Sequence, residues 1–151
     1  MRLTNFIRVI FFLAASAYSL QASAAGTIYN EDGLAIGGYD PVAYFKLGRA
    51  VWGRSDITAK WNNVTWQFDN KAHRDAFTAN PEKYAPQYGG FCAYAAAKGS
   101  LAPTDANSWA IIDGKLYLNY SPSVQNRWKQ NPHSYIDRAN RKWPNIETRR
   151  E

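Results

Sequence analysis

Residues 108–119 read Ser108-Trp109-Ala110-Ile111-Ile112-Asp113-Gly114-Lys115-Leu116-Tyr117-Leu118-Asn119. Two runs rich in aromatic, aliphatic and β-branched side chains flank an Asp-Gly pair, which suits the positive-φ positions of a tight two-residue turn. The stretch predicts a β-hairpin. A second hairpin is predicted upstream, where Ala59, Trp61, Val64, Trp66 and Phe68 surround Asn62-Asn63, a pair that tolerates positive φ.

Helix signals fill the intervals. Asp40-Pro41 supplies an N-cap followed by proline at the first helical position, and Gly48 ends that short helix. Asp69 is predicted to cap a helix running to about Ala79, with Ala72, Ala76 and Phe77 on its apolar side. Asn80-Pro81 starts a further turn that runs to Pro86. Gly89-Gly90 opens Phe91-Cys92-Ala93-Tyr94-Ala95-Ala96-Ala97, closed by Gly99, and the want of a polar face predicts a buried helix. Ser121-Pro122 and Asn131-Pro132 begin the last two helices, the second carrying Ile136, Ala139 and Trp143 at helical spacing before Pro144. This order predicts an α+β fold, a small single domain of two β-hairpins packed with several short helices.

Composition agrees. The 151 residues are 46% hydrophobic and 15% aromatic, which suits one compact domain and excludes a disordered or collagen-like chain. A single cysteine excludes an internal disulfide framework and a multi-thiolate zinc finger.

Residues 1–24 read as a cleavable secretory signal: Arg2 and Arg8, an apolar run from Val9 to Leu20, and Ala22-Ser23-Ala24 as the cut site. The run falls short of the roughly 20 residues that span a bilayer, and no cysteine stands at the cut site for acylation. The expected location is therefore periplasmic or extracellular, with no transmembrane segment after cleavage. Residues 25–33 then form an N-terminal lead, 34–146 the domain and 147–151 a flexible basic tail. Cleavage lowers the formal charge from +6 to +4. Residues 25–126 are neutral, so the excess lies from Arg127 onward. That basic end suits either a solvated helix face or an anionic envelope component, and export argues against a nucleic-acid partner.

Several motifs together carry a resemblance: Tyr39-Asp40-Pro41-Val42-Ala43-Tyr44-Phe45; Trp66-Gln67-Phe68 leading into Arg74-Asp75-Ala76-Phe77; Asn80-Pro81-Glu82-Lys83-Tyr84; and Gly89-Gly90-Phe91-Cys92-Ala93-Tyr94. With the 113–119 hairpin and Trp143-Pro144, residues 34–146 resemble the secreted branch of the YHS-domain family. The resemblance implies a small metal-associated domain of the kind found beside copper-transporting ATPases. The metal-associated members carry cysteines at three positions that correspond here to Ala43, Asp69 and His73, and the Tyr-His-Ser tripeptide is missing from this chain. A metal site in this protein must therefore be argued from its own donors.

Those donors are Cys92, His73 and His133. Cys92 is placed in a helix first turn, where free N–H groups favour a thiolate, among neighbours that favour an inert packed thiol. His73 lies beside the Ala72/Ala76/Phe77 stripe, either as a ligand facing a cleft or as a core-edge histidine bonded to a carbonyl. His133 reads as exposed. Copper(I) accepts two or three soft ligands, so Cys92 with His73 is the candidate metal pair and copper the candidate cofactor.

The alternative is a small-ligand or cell-envelope binding module, with Cys92 only structural. Its pocket would be walled by Tyr39, Trp66, Tyr88, Phe91 and Tyr94. Trp61 and Trp66 are further candidates for stacking on a sugar, against a bland reading as core. No G-x-S-x-G elbow or phosphate-cradling loop is present, and an enzyme would have to rest on a Cys92–His73 dyad. The sequence thus reads as a monomeric binding protein with no assigned catalytic residue.

Overall fold

The computed structural model describes residues 27–148; the predicted signal (1–24) and residues 149–151 of the tail lie outside the described residues. The fold is α+β. Its first sheet has the order β1-β2-β4-β3, with β1 at Asn30–Glu31, β2 at Leu34–Ala35, β3 at Arg54–Trp61 and β4 at Val64–Phe68. Neighbours are antiparallel except β2 and β4, which run parallel through Leu34 and Thr65. Sheet pairing thus begins at Asn30, inside the segment read from sequence as a lead. A two-residue strand shows no periodicity, so nothing in the sequence marked it.

Helix α1 (Pro41–Lys46) lies between β2 and β3, while α2 (Lys71–Ala79) and α3 (Pro81–Tyr84) follow β4. After a 3₁₀ turn at Gln87–Gly90 comes α4 (Ala93–Lys98). The second hairpin is β5 (Asp105–Ile112) with β6 (Lys115–Asn119), and α5 (Pro122–Lys129) and α6 (Pro132–Glu147) complete the order. Both hairpin turns have the chemistry expected of them: φ is 50° and 62° at Asn62 and Asn63, and 50° and 73° at Asp113 and Gly114.

The 108–119 hairpin is the wall between two cores. On β6, Leu116 and Leu118 enter a core with Val42, Tyr44, Trp66, Phe68 and Phe77. Tyr117, on the opposite face, enters the other core with Trp128, Ile136 and Ala139. On β5, Trp109 and Ile111 pack on the first core, whereas Ala110 and Ile112 face the second. Alternation with period two therefore divides one hairpin between two apolar layers. Leu116 and Leu118 are fully buried, each contributing about 1.5–3 kcal/mol by burial. Ala93, Ala96 and Ala97 of α4 pack in the second core with Ala139 of α6, small side chains that let the helices approach closely.

Three helix limits differ from expectation. Helix α2 starts at Lys71, capped by Asn70, whose Oδ1 accepts the His73 N–H at 2.9 Å. Asp69 lies one residue before the cap, its N–H donated to the Asp40 carboxylate and its own Oδ2 accepting from Asn70 Nδ2. Helix α4 starts at Ala93, because Phe91 is extended, Cys92 is a non-helical N-cap (φ −57°, ψ 119°), and their N–H groups donate to the carbonyls of Tyr88 and Ala102. Helix α6 continues through Pro144 to Glu147. Proline forfeits one helical hydrogen bond there, and the helix still carries Ile146, two residues on, into a buried position.

Candidate functional site

Asp40 is the most connected polar group of the first core. Its carboxylate is fully buried. Oδ1 accepts the N–H groups of Val42 at 2.8 Å and Ala43 at 3.2 Å, which caps α1. Oδ2 accepts the Asp69 N–H at 2.9 Å and lies 2.6 Å from Nδ1 of the nearly buried His73, which donates to it. Ala43, Asp69 and His73 are the three positions that the resemblance associates with metal cysteines, and all three touch this one carboxylate.

Cys92 has a different set of partners. It is buried, with Sγ 3.7 Å from Oδ1 of Asn119, the last residue of β6. The same Oδ1 accepts the Tyr94 N–H at 3.2 Å, so Asn119 satisfies a donor at the start of α4 that Cys92 does not reach. Asn119 is itself fully buried, and its Nδ2 has no hydrogen-bond partner among the described residues. His133 is exposed, 3.7 Å from the exposed Asp113 carboxylate.

Copper, implied by the resemblance, can be tested against this donor set. The thiol is engaged by Asn119 and the imidazole by Asp40. Among the described residues no three His, Cys, Asp or Glu side chains gather as ligands for one ion. The donor set does not fit a resident three-ligand metal.

The five aromatic candidates likewise do not meet around one cavity. Trp66 is fully buried, its Nε1 donating to the Trp61 carbonyl at 3.2 Å and its ring 5.0 Å from that of Phe77. Trp61 packs on both, so the first hairpin's tryptophans belong to the core. Tyr88 is buried, its hydroxyl 2.9 Å from Asn140 Oδ1 and its phenol pushed well above the usual tyrosine range by burial. Phe91 lines a groove of about 350 Å³ with Ile28, Tyr29, Leu101 and Pro103. Tyr94 packs on Tyr135 of α6, the rings tilted by 45°.

Only Tyr39 opens onto a cleft with an exposed aromatic wall. Tyr39 and Trp52 are opposed in an isolated antiparallel bridge, held by Asp40 N–H to Val51 O and Gly53 N–H to Gly38 O, both 2.9 Å. This is the close-spaced type of cross-strand pair, so the two side chains meet. Their rings stack at 4.1 Å and 27°, yet Trp52 remains 62% exposed. Trp52 is more open than Tyr120 at 55% or Leu47 at 46%, the other exposed large hydrophobics among the described residues.

Beneath them lies a small cleft of about 50 Å³, reached also by Tyr29, Glu31, Gly37 and Thr104. The Tyr29 hydroxyl donates to Glu31 Oε1, and burial, then the Glu31 carboxylate, pushes this phenol up to about 12. Gly37 has φ of 64°, and a Cβ there would stand 3.1 Å from Glu31 Oε2. Glycine thus supplies both the conformation and the room for the carboxylate. The cleft presents a flat aromatic face, the Glu31 carboxylate, and the hydroxyl-bearing side chains of Tyr29 and Thr104.

Trp52, Tyr29 and Glu31 escaped the sequence reading. The one available signal was Trp52 itself, a large aromatic just before Gly53 and outside any periodic run. No protein-family model matches the chain, and no curated protein or solved structure does either. Among the described residues, no helix is long and apolar enough to cross a membrane.

Proposed function

We propose that this protein is an exported, YHS-like binding domain whose ligand site is the Trp52 cleft, and that its ligand is a small molecule carrying an ammonium group on an apolar body. One observation carries the reading: an exposed indole is held in place by stacking on Tyr39, above a carboxylate that no cation of the protein neutralises among the described residues. An aromatic face attracts a cation through the ring quadrupole, and Glu31 adds a direct charge partner. Preorganisation lowers the ordering cost of binding. In this reading Cys92 and His73 are structural, each held by its own buried partner, and the protein binds without catalysing.

The test is a titration of the purified protein with choline, spermidine and glucose, following the Trp52 indole N–H by NMR. The reading expects saturable shifts with the cations and none with glucose. Trp52→Ala and Glu31→Gln should each weaken binding by about tenfold, one cation–π or charge contact of roughly 1–2 kcal/mol. Cation shifts that survive both substitutions, or that are missing at millimolar concentration, would overturn it. A response to glucose alone would reassign the cleft to carbohydrate.

A further inference from the structure

A second surface lies on α4, α5 and α6. The rings of Tyr94 and Tyr135 are 5.2 Å apart. Lys98 Nζ lies 5.5 Å from the centre of the Tyr94 ring, the Arg127 guanidinium 5.9 Å from the same ring, and the Arg138 guanidinium 4.6 Å from the Tyr135 ring. One turn after Arg138, Lys142 shares a surface depression with Lys98, floored by Ile146. None of these four cations forms an ion pair with a carboxylate among the described residues. The Nε of Arg138 is enclosed and has no hydrogen-bond partner there.

Ordinary solvated helix faces alternate charge, so that cations find carboxylates at helical spacing. This face does not. Positive potential is concentrated enough to act on its own tyrosine: Arg127, by a hydrogen bond, and then Lys98 and Arg138 hold the Tyr94 phenol below its usual value. Two amphipathic rings among long basic side chains suit the boundary between headgroups and water, where the ring body is half immersed and the cations reach phosphates.

We infer that the Tyr94/Tyr135 face, with Lys98, Arg127, Arg138 and Lys142, docks the protein onto an anionic phospholipid surface. The inference is independent of the Trp52 cleft, because it shares no residue with it. Attraction of this kind grows with each basic residue near the surface and fades within a Debye length, so it is salt-dependent.

The experiment is co-sedimentation of the purified protein with phosphatidylcholine vesicles, with and without 30% phosphatidylglycerol, at low and high salt. Binding is expected only to the anionic vesicles, with a loss of at least tenfold at about 0.5 M salt. Arg127→Gln with Arg138→Gln should lower the partition coefficient by at least tenfold, whereas Trp52→Ala should leave it unchanged. Unchanged circular dichroism of the double variant would show that its fold is intact. Should it unfold, Lys98→Gln with Lys142→Gln, both at the surface, carries the same expectation. Equal binding to neutral vesicles, no binding to anionic ones, or binding indifferent to both pairs of substitutions would overturn the inference. So would retention on a soluble polyanion such as dextran sulfate without vesicle binding, which would point to an acidic polymer.

Discussion

Replacing Asp40 with alanine should be among the most damaging single changes in the first core. The carboxylate accepts four hydrogen bonds, two at the start of α1, one from Asp69 and one from His73. Losing the cap costs about 1 kcal/mol. Orphaning the Asp69 N–H and the nearly buried imidazole adds about 1–3 kcal/mol for each group left without a partner. The sum is about 4 kcal/mol, a large part of the 5–15 kcal/mol that stabilises a typical domain. For a domain of this size that corresponds to a fall in Tm of about 15 °C.

Urea unfolding followed by circular dichroism measures the loss directly. Asp40→Asn is the informative companion. An amide offers one oxygen and turns its NH₂ toward the Asp69 N–H, so it keeps the α1 cap and loses Asp69, while His73 stays bonded only in the tautomer that accepts at Nδ1. It should recover about 1 kcal/mol of the alanine loss through the cap, and about 1–3 kcal/mol more through His73, leaving the Asp69 N–H as the remaining penalty. The double variant Asp40→Ala/His73→Ala should show a coupling of about 1–3 kcal/mol, the range for directly bonded neighbours. An alanine penalty under about 1 kcal/mol, or additive single effects, would refute the claim that this carboxylate joins α1 to α2.

Three further outcomes concern other buried groups. Native Cys92 should react with a thiol reagent at least a hundredfold more slowly than a free thiol, because its sulfur is exposed only by opening of the fold; for the same reason, uptake of Cu(I) or Zn(II) should be unaffected by Cys92→Ser and His73→Ala, and one tight equivalent lost in both variants would restore the metal reading. Alkaline pH should destabilise the protein: burial raises the phenols of Tyr44 and Tyr88, so the folded state keeps protons that the unfolded state releases above about pH 10. Their stabilisation is complete below that pH and falls by about 1.4 kcal/mol per pH unit per phenol above it, until each folded phenol ionises. A urea midpoint that stays flat from pH 9 to 11.5 would contradict this, and Tyr44→Phe should reduce the slope by one phenol.

What could be read from the sequence was local. Asn62-Asn63 and Asp113-Gly114 declare their turns because positive φ is a property of single residues. Ser121-Pro122 and Asn131-Pro132 declare helix starts because the cap and the proline act within one turn. Asp40 was legible only as a cap, through Oδ1; the work of Oδ2 depends on Asp69 and His73, which lie 29 and 33 residues away. The division of the 108–119 hairpin between two cores was likewise hidden. Leu116, Tyr117 and Leu118 are all apolar enough to be buried, and only the surrounding helices decide which face each one meets.

The candidate site shows why residue type was a poor guide to function here. Trp66 and Trp52 are both tryptophans on extended backbone, yet one has no exposed surface and the other is 62% exposed. Trp66 sits on β4, where alternation turns it into the core and its indole N–H finds the Trp61 carbonyl. Trp52 sits on a bridge of one residue pair, with Tyr39 stacked against its ring. Burial and hydrogen bonding account for everything Trp66 does, and they leave the open face of Trp52 unexplained. The same criterion sets Cys92 and His73 aside and keeps Glu31: the thiol and imidazole are enclosed by Asn119 and Asp40, while the Glu31 carboxylate is exposed at the mouth of a cleft that Gly37 keeps open for it. The binding site proposed for this protein therefore rests on the residues that neither burial nor a buried hydrogen bond accounts for, Trp52 and Glu31.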